Sequence, residues 1–180
     1  MPYRDPGEVE ALRVAAQLMS LAARTAPKAT GKDFVTTKII SGETLERLAD
    51  EMVAYGKASG KKNFDRDGEN VRNSGAVLLL GLKDPEVAGL NCGACGFDNC
   101  SELQKHSGPE FEGPLCVWRI IDLGIAAGSA VKMASMLNVD NRVMYRIGVV
   151  AKKMGIVDDD VVMGIPLSAT GKSPYFDRGR

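Results

Sequence analysis

All four cysteines of this 180-residue chain lie in one stretch. Asn91-Cys92-Gly93-Ala94-Cys95-Gly96-Phe97-Asp98-Asn99-Cys100 carries three of them, and Cys116 follows sixteen residues on. Three thiols on a Gly-rich loop can converge on one point, with the fourth arriving from the start of the next helix. Four sulfur ligands suit an iron–sulfur cluster or a structural zinc. Gly93 and Gly96 let the backbone take positive φ and leave room beside a bulky inorganic core. Successive loop N–H groups can then point at cluster sulfides, as in anion-binding nests. Residues 89–116 are therefore the candidate iron–sulfur cluster-binding segment, with Cys92, Cys95, Cys100 and Cys116 as metal ligands.

Two other uses of the thiols stay open at this level. A zinc site of four cysteines usually shows two Cys-x2-Cys knuckles, whereas only Cys92 and Cys95 form one here. Paired disulfides need an oxidising compartment, and the opening Met1–Glu10, with Arg4, Asp5, Glu8 and Glu10, has no apolar core of the secretory kind. The longest apolar runs are too short or too interrupted by charge to span a bilayer. A cytoplasmic protein follows as the expectation, and clustered cysteines there read as metal ligands. Lysine and arginine number 23, as do aspartate and glutamate. No net field or dense basic run draws the chain to nucleic acid or to an anionic membrane.

With 44% hydrophobic residues the chain is expected to be globular, and its length suits a single domain over 1–180. Residues 7–26 read as a first helix. Leu12, Ala16, Met19 and Ala23 form one stripe, and Val14, Leu18 and Leu21 a second. A helix apolar on two faces packs inside a domain or across a dimer interface. Phe34–Ser41 is β-branched and apolar, a strand. Glu43–Lys57 is a second helix, with Leu45, Leu48, Ala49, Met52 and Val53 on one face. The polar 60–70 stretch reads as a solvated linker. Gly75–Leu82, with Ala76-Val77-Leu78-Leu79-Leu80, suits a strand covered on both faces.

Val117–Asn138 is a long apolar helix whose Gly124, Ala126, Ala127, Gly128 and Ser129 permit close approach of a backbone or a flat cofactor. Asp140–Lys153 reads as a fourth helix, with Val143, Ile147 and Val150 inward. Asp158-Asp159-Asp160 is expected to be an exposed turn, and Val161–Ile165 a third strand. Met133, Met136, Met144, Met154 and Met163 are expected in or near the core. Three strands among long helices give an α+β (α/β layered) class.

Two resemblances add to this reading. Cys92-Gly93-Ala94-Cys95-Gly96-Phe97-Asp98-Asn99-Cys100 with Cys116 resembles the [4Fe–4S] motif of corrinoid iron–sulfur proteins and of electron-transport complexes that feed ferredoxin. The element order over most of the chain resembles the nitroreductase-like flavoproteins. The shared features are a long first helix ending in Arg24-Thr25-Ala26-Pro27, a small-residue helix at Leu123-Gly124-Ile125-Ala126-Ala127-Gly128, and a last strand carrying Gly164-Ile165-Pro166. Together they resemble the uncharacterised ferredoxin-domain-containing protein family. The resemblance implies a nitroreductase-like sheet flanked by long helices with an inserted cysteine loop, a homodimer, and FMN. The Arg-rich opening of those flavoproteins is reduced here to Arg4, Arg13 and Arg24, and Lys28, Gly31 and Asp33 stand where they carry Ser, Asn and Gln. Arg24, Lys28 and Lys32 are the candidates to meet a cofactor phosphate; solvent-facing charge near a helix end is their simpler reading.

Other signals carry less. Gly171-Lys172-Ser173 is no P-loop, because Pro166 replaces the required glycine and Pro174 precludes the following helix; the tail is expected to wrap over a neighbouring subunit. His106, the only histidine, is a loop residue or a tuner of the cluster by hydrogen bonding. Trp118 shields the cluster side of the core. Three functions remain: a one-electron carrier passing electrons to a redox partner or small-molecule acceptor, a flavin-dependent oxidoreductase fed by the cluster, and a zinc-stabilised structural protein.

Overall fold

A computed structural model describes residues 5–176 of the chain. The first helix, α1, spans Pro6–Thr25. It starts where the Asp5 carboxylate accepts the Gly7 N–H at 2.7 Å, with proline in the first helical position, where its missing donor costs nothing. Strand β1 is Val35–Ile40, α2 is Glu43–Ser59 and α3 is Phe64–Arg72. Strand β2 is Ala76–Leu82. The cysteine loop contains a short hairpin, β3 His106–Ser107 and β4 Glu112–Gly113. Helix α4 is Val117–Met136, followed by β5 Asp140–Asn141, α5 Tyr145–Lys153 and β6 Val161–Ser168.

The main sheet has four strands in the order β1-β2-β6-β5, every pair antiparallel. The class is α+β, as the sequence leads one to expect, with a fourth strand and a hairpin beyond the three strands anticipated. Strand β2 shows why its sequence is continuously apolar. Ala76, Leu78, Leu80 and Leu82 face a core shared with α1 and α4. Val77 and Leu79 face a second core under α2, α3 and α5. A strand with helices on both sides has no polar face to display. Helix α5 lies unusually close to β6, since a Cβ on Gly148 would sit 1.9 Å from the Val162 carbonyl oxygen.

Several expectations are corrected. The 60–70 stretch is not a solvated linker: most of it forms α3, with Phe64, Asp67, Gly68, Asn70 and Val71 buried. Buried Asp67 is matched by Arg66 at 2.7 Å and Arg146 at 2.9 Å, so charge that looks solvated is internally paired. Asp159 and Asp160 are buried, leaving only Asp158 exposed in that turn. Asp159 accepts from the Thr36 hydroxyl, and Asp160 pairs with Lys105 at 2.7 Å. The fourth helix begins at Tyr145, because Asp140 and Asn141 pair with β6 instead. Val143 is 42% exposed and Met136 67%. Tyr175 of the tail is buried in its own chain, its hydroxyl 2.8 Å from Ser74 Oγ, and Phe176 is exposed. Arg4, and the tail from Asp177 on, lie outside the described residues.

The second stripe of α1 stays uncovered. Val14, Leu18 and Leu21 are exposed, as are Ile121 and Ile125 of α4 and Leu137 just after it. Among the described residues no helix is long and apolar enough to cross a membrane.

Candidate metal centre

The chain leaves β2 through Asp84, at φ 44, and reaches the cysteine loop through Glu86 and Leu90. Asn91 closes the loop on itself: its side-chain oxygen accepts the Cys100 N–H at 2.8 Å, and its own N–H donates to Cys100 Sγ at 3.3 Å. A tight turn between Cys92 and Cys95 follows from the Gly96 N–H donating to the Gly93 carbonyl at 2.9 Å. Gly93 and Gly96 take φ 70 and φ 89, and a Cβ on either would meet nothing within 4 Å. Both glycines are thus required by backbone conformation, and the space beside them is open.

Helix α4 presents the other half. Cys116 is its N-cap residue, buried at 6% exposure, at the end of the helix whose dipole favours negative charge. Two residues later the Trp118 indole N–H donates to Cys92 Sγ at 3.3 Å. This is more specific than the shielding role expected for Trp118. The Ala94 backbone N–H and then the Trp118 indole hold the Cys92 thiol below its ordinary value, because both donors favour the thiolate. Cys92 is exposed, Cys95 and Cys100 are half-buried, and all four cysteines are free thiols. The four sulfurs are not drawn into one closed group: among the described residues no three Cys, His, Asp or Glu side chains together could hold a metal ion. The donor set still fits an iron–sulfur cluster. It consists of thiols alone, N–H groups already point at two of the sulfurs, and the loop has its glycines where its turns need them.

The fifteen residues between Cys100 and Cys116 are pinned on the far side. Glu110 pairs with Lys61 at 2.6 Å and accepts from the Tyr55 hydroxyl at 3.2 Å. Burial, then the Glu110 charge, raises the Tyr55 phenol. The Glu112 N–H donates to the Asp160 carbonyl at 2.9 Å, and its carboxylate lies 3.5 Å from Lys152. His106 is exposed in β3.

The three expected phosphate-binding cations are dispersed and engaged. Arg24 pairs with Asp33 at 3.2 Å and donates to the Val35 carbonyl. Lys28, buried, caps the end of α1 through the Ala23 and Arg24 carbonyls at 2.9 and 2.6 Å. These two share Asp33, with Lys28 3.9 Å from it. Lys32 reaches Glu86 instead, at 2.7 Å, and its hydrogen bond and charge hold that carboxyl below its ordinary value.

Sequence reading missed Arg119 and Asp122. Arg119 is fully buried and pairs with Asp122 at 3.2 Å. It donates to the Glu86 carbonyl at 2.9 Å, the Ala29 carbonyl at 2.8 Å and the Thr30 hydroxyl at 3.2 Å, and its guanidinium lies 4.9 Å from the Phe34 ring centroid. Asp122 accepts the Ala29 N–H at 2.8 Å. The signal was legible: from Val117 to Val131 these are the only charged residues, and they share a helical face with buried Leu123 and Ala126.

Residues 112–178 match a family described as an uncharacterized protein containing a ferredoxin domain; the match includes Cys116 and stops short of the other three cysteines. A relative from Archaeoglobus fulgidus, described as an uncharacterized protein, is 53% identical over 171 residues, covering 94% of this chain and 92% of the relative. Among solved structures, nitroreductase CinD from Lactococcus lactis in complex with chloramphenicol aligns over 95% of this chain and 82% of its own, at a TM-score of 0.62 and 14% identity. The FMN-dependent nitroreductase NfnB from Mycobacterium smegmatis in complex with NADPH aligns over 95% and 81%, at a TM-score of 0.57 and 13% identity. Fold and sequence kinship together place the chain: it has the nitroreductase fold and belongs to the family of uncharacterised proteins containing a ferredoxin domain.

Proposed function

We propose that the protein is a cytoplasmic iron–sulfur redox protein that binds one [4Fe–4S] cluster through Cys92, Cys95, Cys100 and Cys116. The observation that carries the reading is the arrangement around the sulfurs. Every cysteine lies on the loop or at the α4 start, and N–H donors from Asn91 and Trp118 reach Cys100 and Cys92. A cluster so held would supply one-electron chemistry between a reduced redox protein and a second protein or a small acceptor. The chain's own residues favour the thiolate of Cys92 and hold the loop against α4, with Cys92 exposed where a partner can approach.

A second reading adds FMN, making the protein an oxidoreductase fed by the cluster. It is favoured by the likeness to NfnB, a nitroreductase described as FMN-dependent. Arg24, Lys28 and Lys32 are its candidate phosphate contacts, and binding there requires them to exchange Asp33 and Glu86 for the phosphate. A homodimer belongs to both readings. Its support is the uncovered face of Val14, Leu18, Ile121 and Ile125, where Gly124 and Gly128 have open space above them.

The deciding experiment is anaerobic purification followed by iron, acid-labile sulfide, zinc and flavin analysis per chain. About four irons and four sulfides are expected. Stoichiometric flavin in the same sample selects the second reading, and zinc without sulfide refutes both. Serine at any one of the four cysteines should lower iron and sulfide content; wild-type content in all four variants would remove the assignment.

A further inference from the structure

The first two turns of α4 reach two of the four cysteines and the stem that leads into the loop. Cys116 caps the helix, Trp118 reaches Cys92, and Arg119 grips the strand-to-loop stem at the Glu86 carbonyl. Arg119 and Asp122 together hold the turn after α1, at the Ala29 carbonyl, the Ala29 N–H and the Thr30 hydroxyl. Thr30 stands at φ 56, an uncommon conformation for a residue with a side chain. A guanidinium with no exposure and a carboxylate at 3% exposure form an expensive pair to bury. Aliphatic residues would pack this helix at least as well, so packing alone does not account for it.

Both charges lie within two helical turns of Cys116, in a protein interior that screens charge poorly. While the pair is intact its charges nearly cancel. Breaking it from either side leaves one unpaired charge of known sign within two helical turns of Cys116. The potential of an iron–sulfur centre responds to such charge, since reduction adds an electron.

We propose that Arg119 and Asp122 are positioning residues of the cysteine centre: they clamp the stem entering Cys92 to the start of α4, and each cancels the other's charge, so that neither displaces the potential at which the centre accepts an electron. The inference rests on the iron–sulfur reading above.

The test uses the full chain, purified without oxygen, as wild type, Arg119→Gln, Asp122→Asn and the double variant. Far-UV circular dichroism reports folding, iron and sulfide analysis reports loading, and a spectroelectrochemical titration reports potential. Arg119→Gln leaves a negative charge and should lower the potential. Asp122→Asn leaves a positive charge, keeps the Arg119 bonds to backbone carbonyls and should raise it. The double variant should return towards wild type. Loss of the cluster from single variants that remain folded also supports the clamp. Loaded single variants with unshifted potentials, or with shifts of the same sign, overturn the proposal, as does unfolding of every variant, which would make the pair a fold element only. A wild-type chain without iron and sulfide would instead refute the iron–sulfur reading itself.

Discussion

Replacing glycine by alanine should have opposite consequences at two places in this fold, and one of them tests the proposed dimer. Gly124 and Gly128 lie in the interior of α4, exposed, and a Cβ on either meets nothing within 4 Å. An interior helical glycine costs about 1 kcal/mol relative to alanine. In an isolated chain Gly124→Ala with Gly128→Ala should therefore stabilise the fold by about 2 kcal/mol. If α4 of a second copy approaches this face, the added methyls meet it instead. Overpacking of that kind typically costs about 1–3 kcal/mol, and in a two-fold dimer each substitution occurs twice. Each 1.4 kcal/mol lost weakens association about tenfold. The assay is light scattering across a concentration series, with urea unfolding at each concentration because dimer stability depends on it. A dissociating double variant is the expected result. A more stable variant with the mass of the wild type at every concentration would refute the interface. Gly148→Ala is the control: with the Val162 carbonyl oxygen 1.9 Å from the new Cβ, it should destabilise the chain whether or not it dimerises.

Removing one side of the buried charge cluster at α3 should be costly. Asp67→Ala leaves Arg146 without its buried partner, and a loss of about 3–5 kcal/mol is expected in urea unfolding; a change within 0.5 kcal/mol, the scale of an ordinary surface site, would show the pair to be solvated. Acid should loosen the hairpin between the third and fourth cysteines. The Ser107 hydroxyl and the Lys152 charge hold the Glu112 carboxyl below its ordinary 4.5. A depressed carboxyl contributes stability above the unfolded value and loses it as pH falls through the folded value. Glu112→Gln should flatten stability against pH below that ordinary value, and an unchanged profile would assign the acid sensitivity elsewhere.

What the sequence made legible follows from how locally each signal is encoded. The apolar run of β2 could be read because a strand covered on both faces needs no partner information to look buried. The stripe Leu12, Ala16, Met19 and Ala23 could be read because helical period alone places it inward. The α3 segment was not legible, because Asp67 is neutralised by Arg146, 79 residues away; composition cannot distinguish a solvated carboxylate from one paired across the fold. Asp159 and Asp160 hid for the same reason, their partners Thr36 and Lys105 lying on other elements. Of the candidate site, the positive φ of Gly93 and Gly96 was legible from the cysteine loop's composition. The Cys92–Trp118 contact was not, since it depends on where α4 lies relative to the loop. Arg24, Lys28 and Lys32 are close in sequence, but Glu86 draws Lys32 away from the other two.

These long-range pairings also explain how a loop of small and polar residues is held on a frame whose cores lie elsewhere. A loop with exposed Cys92 and Leu90 buries too little apolar surface to order itself by the hydrophobic effect. Its order comes from directional contacts at its two ends. Arg119 holds the stem at Glu86, and the ion pairs of Lys105, Glu110 and Glu112 hold the return. Directional contacts fix position without covering Cys92. The loop can therefore be ordered at its ends and still leave Cys92 exposed. An apolar plug over the same loop would give the first property at the expense of the second.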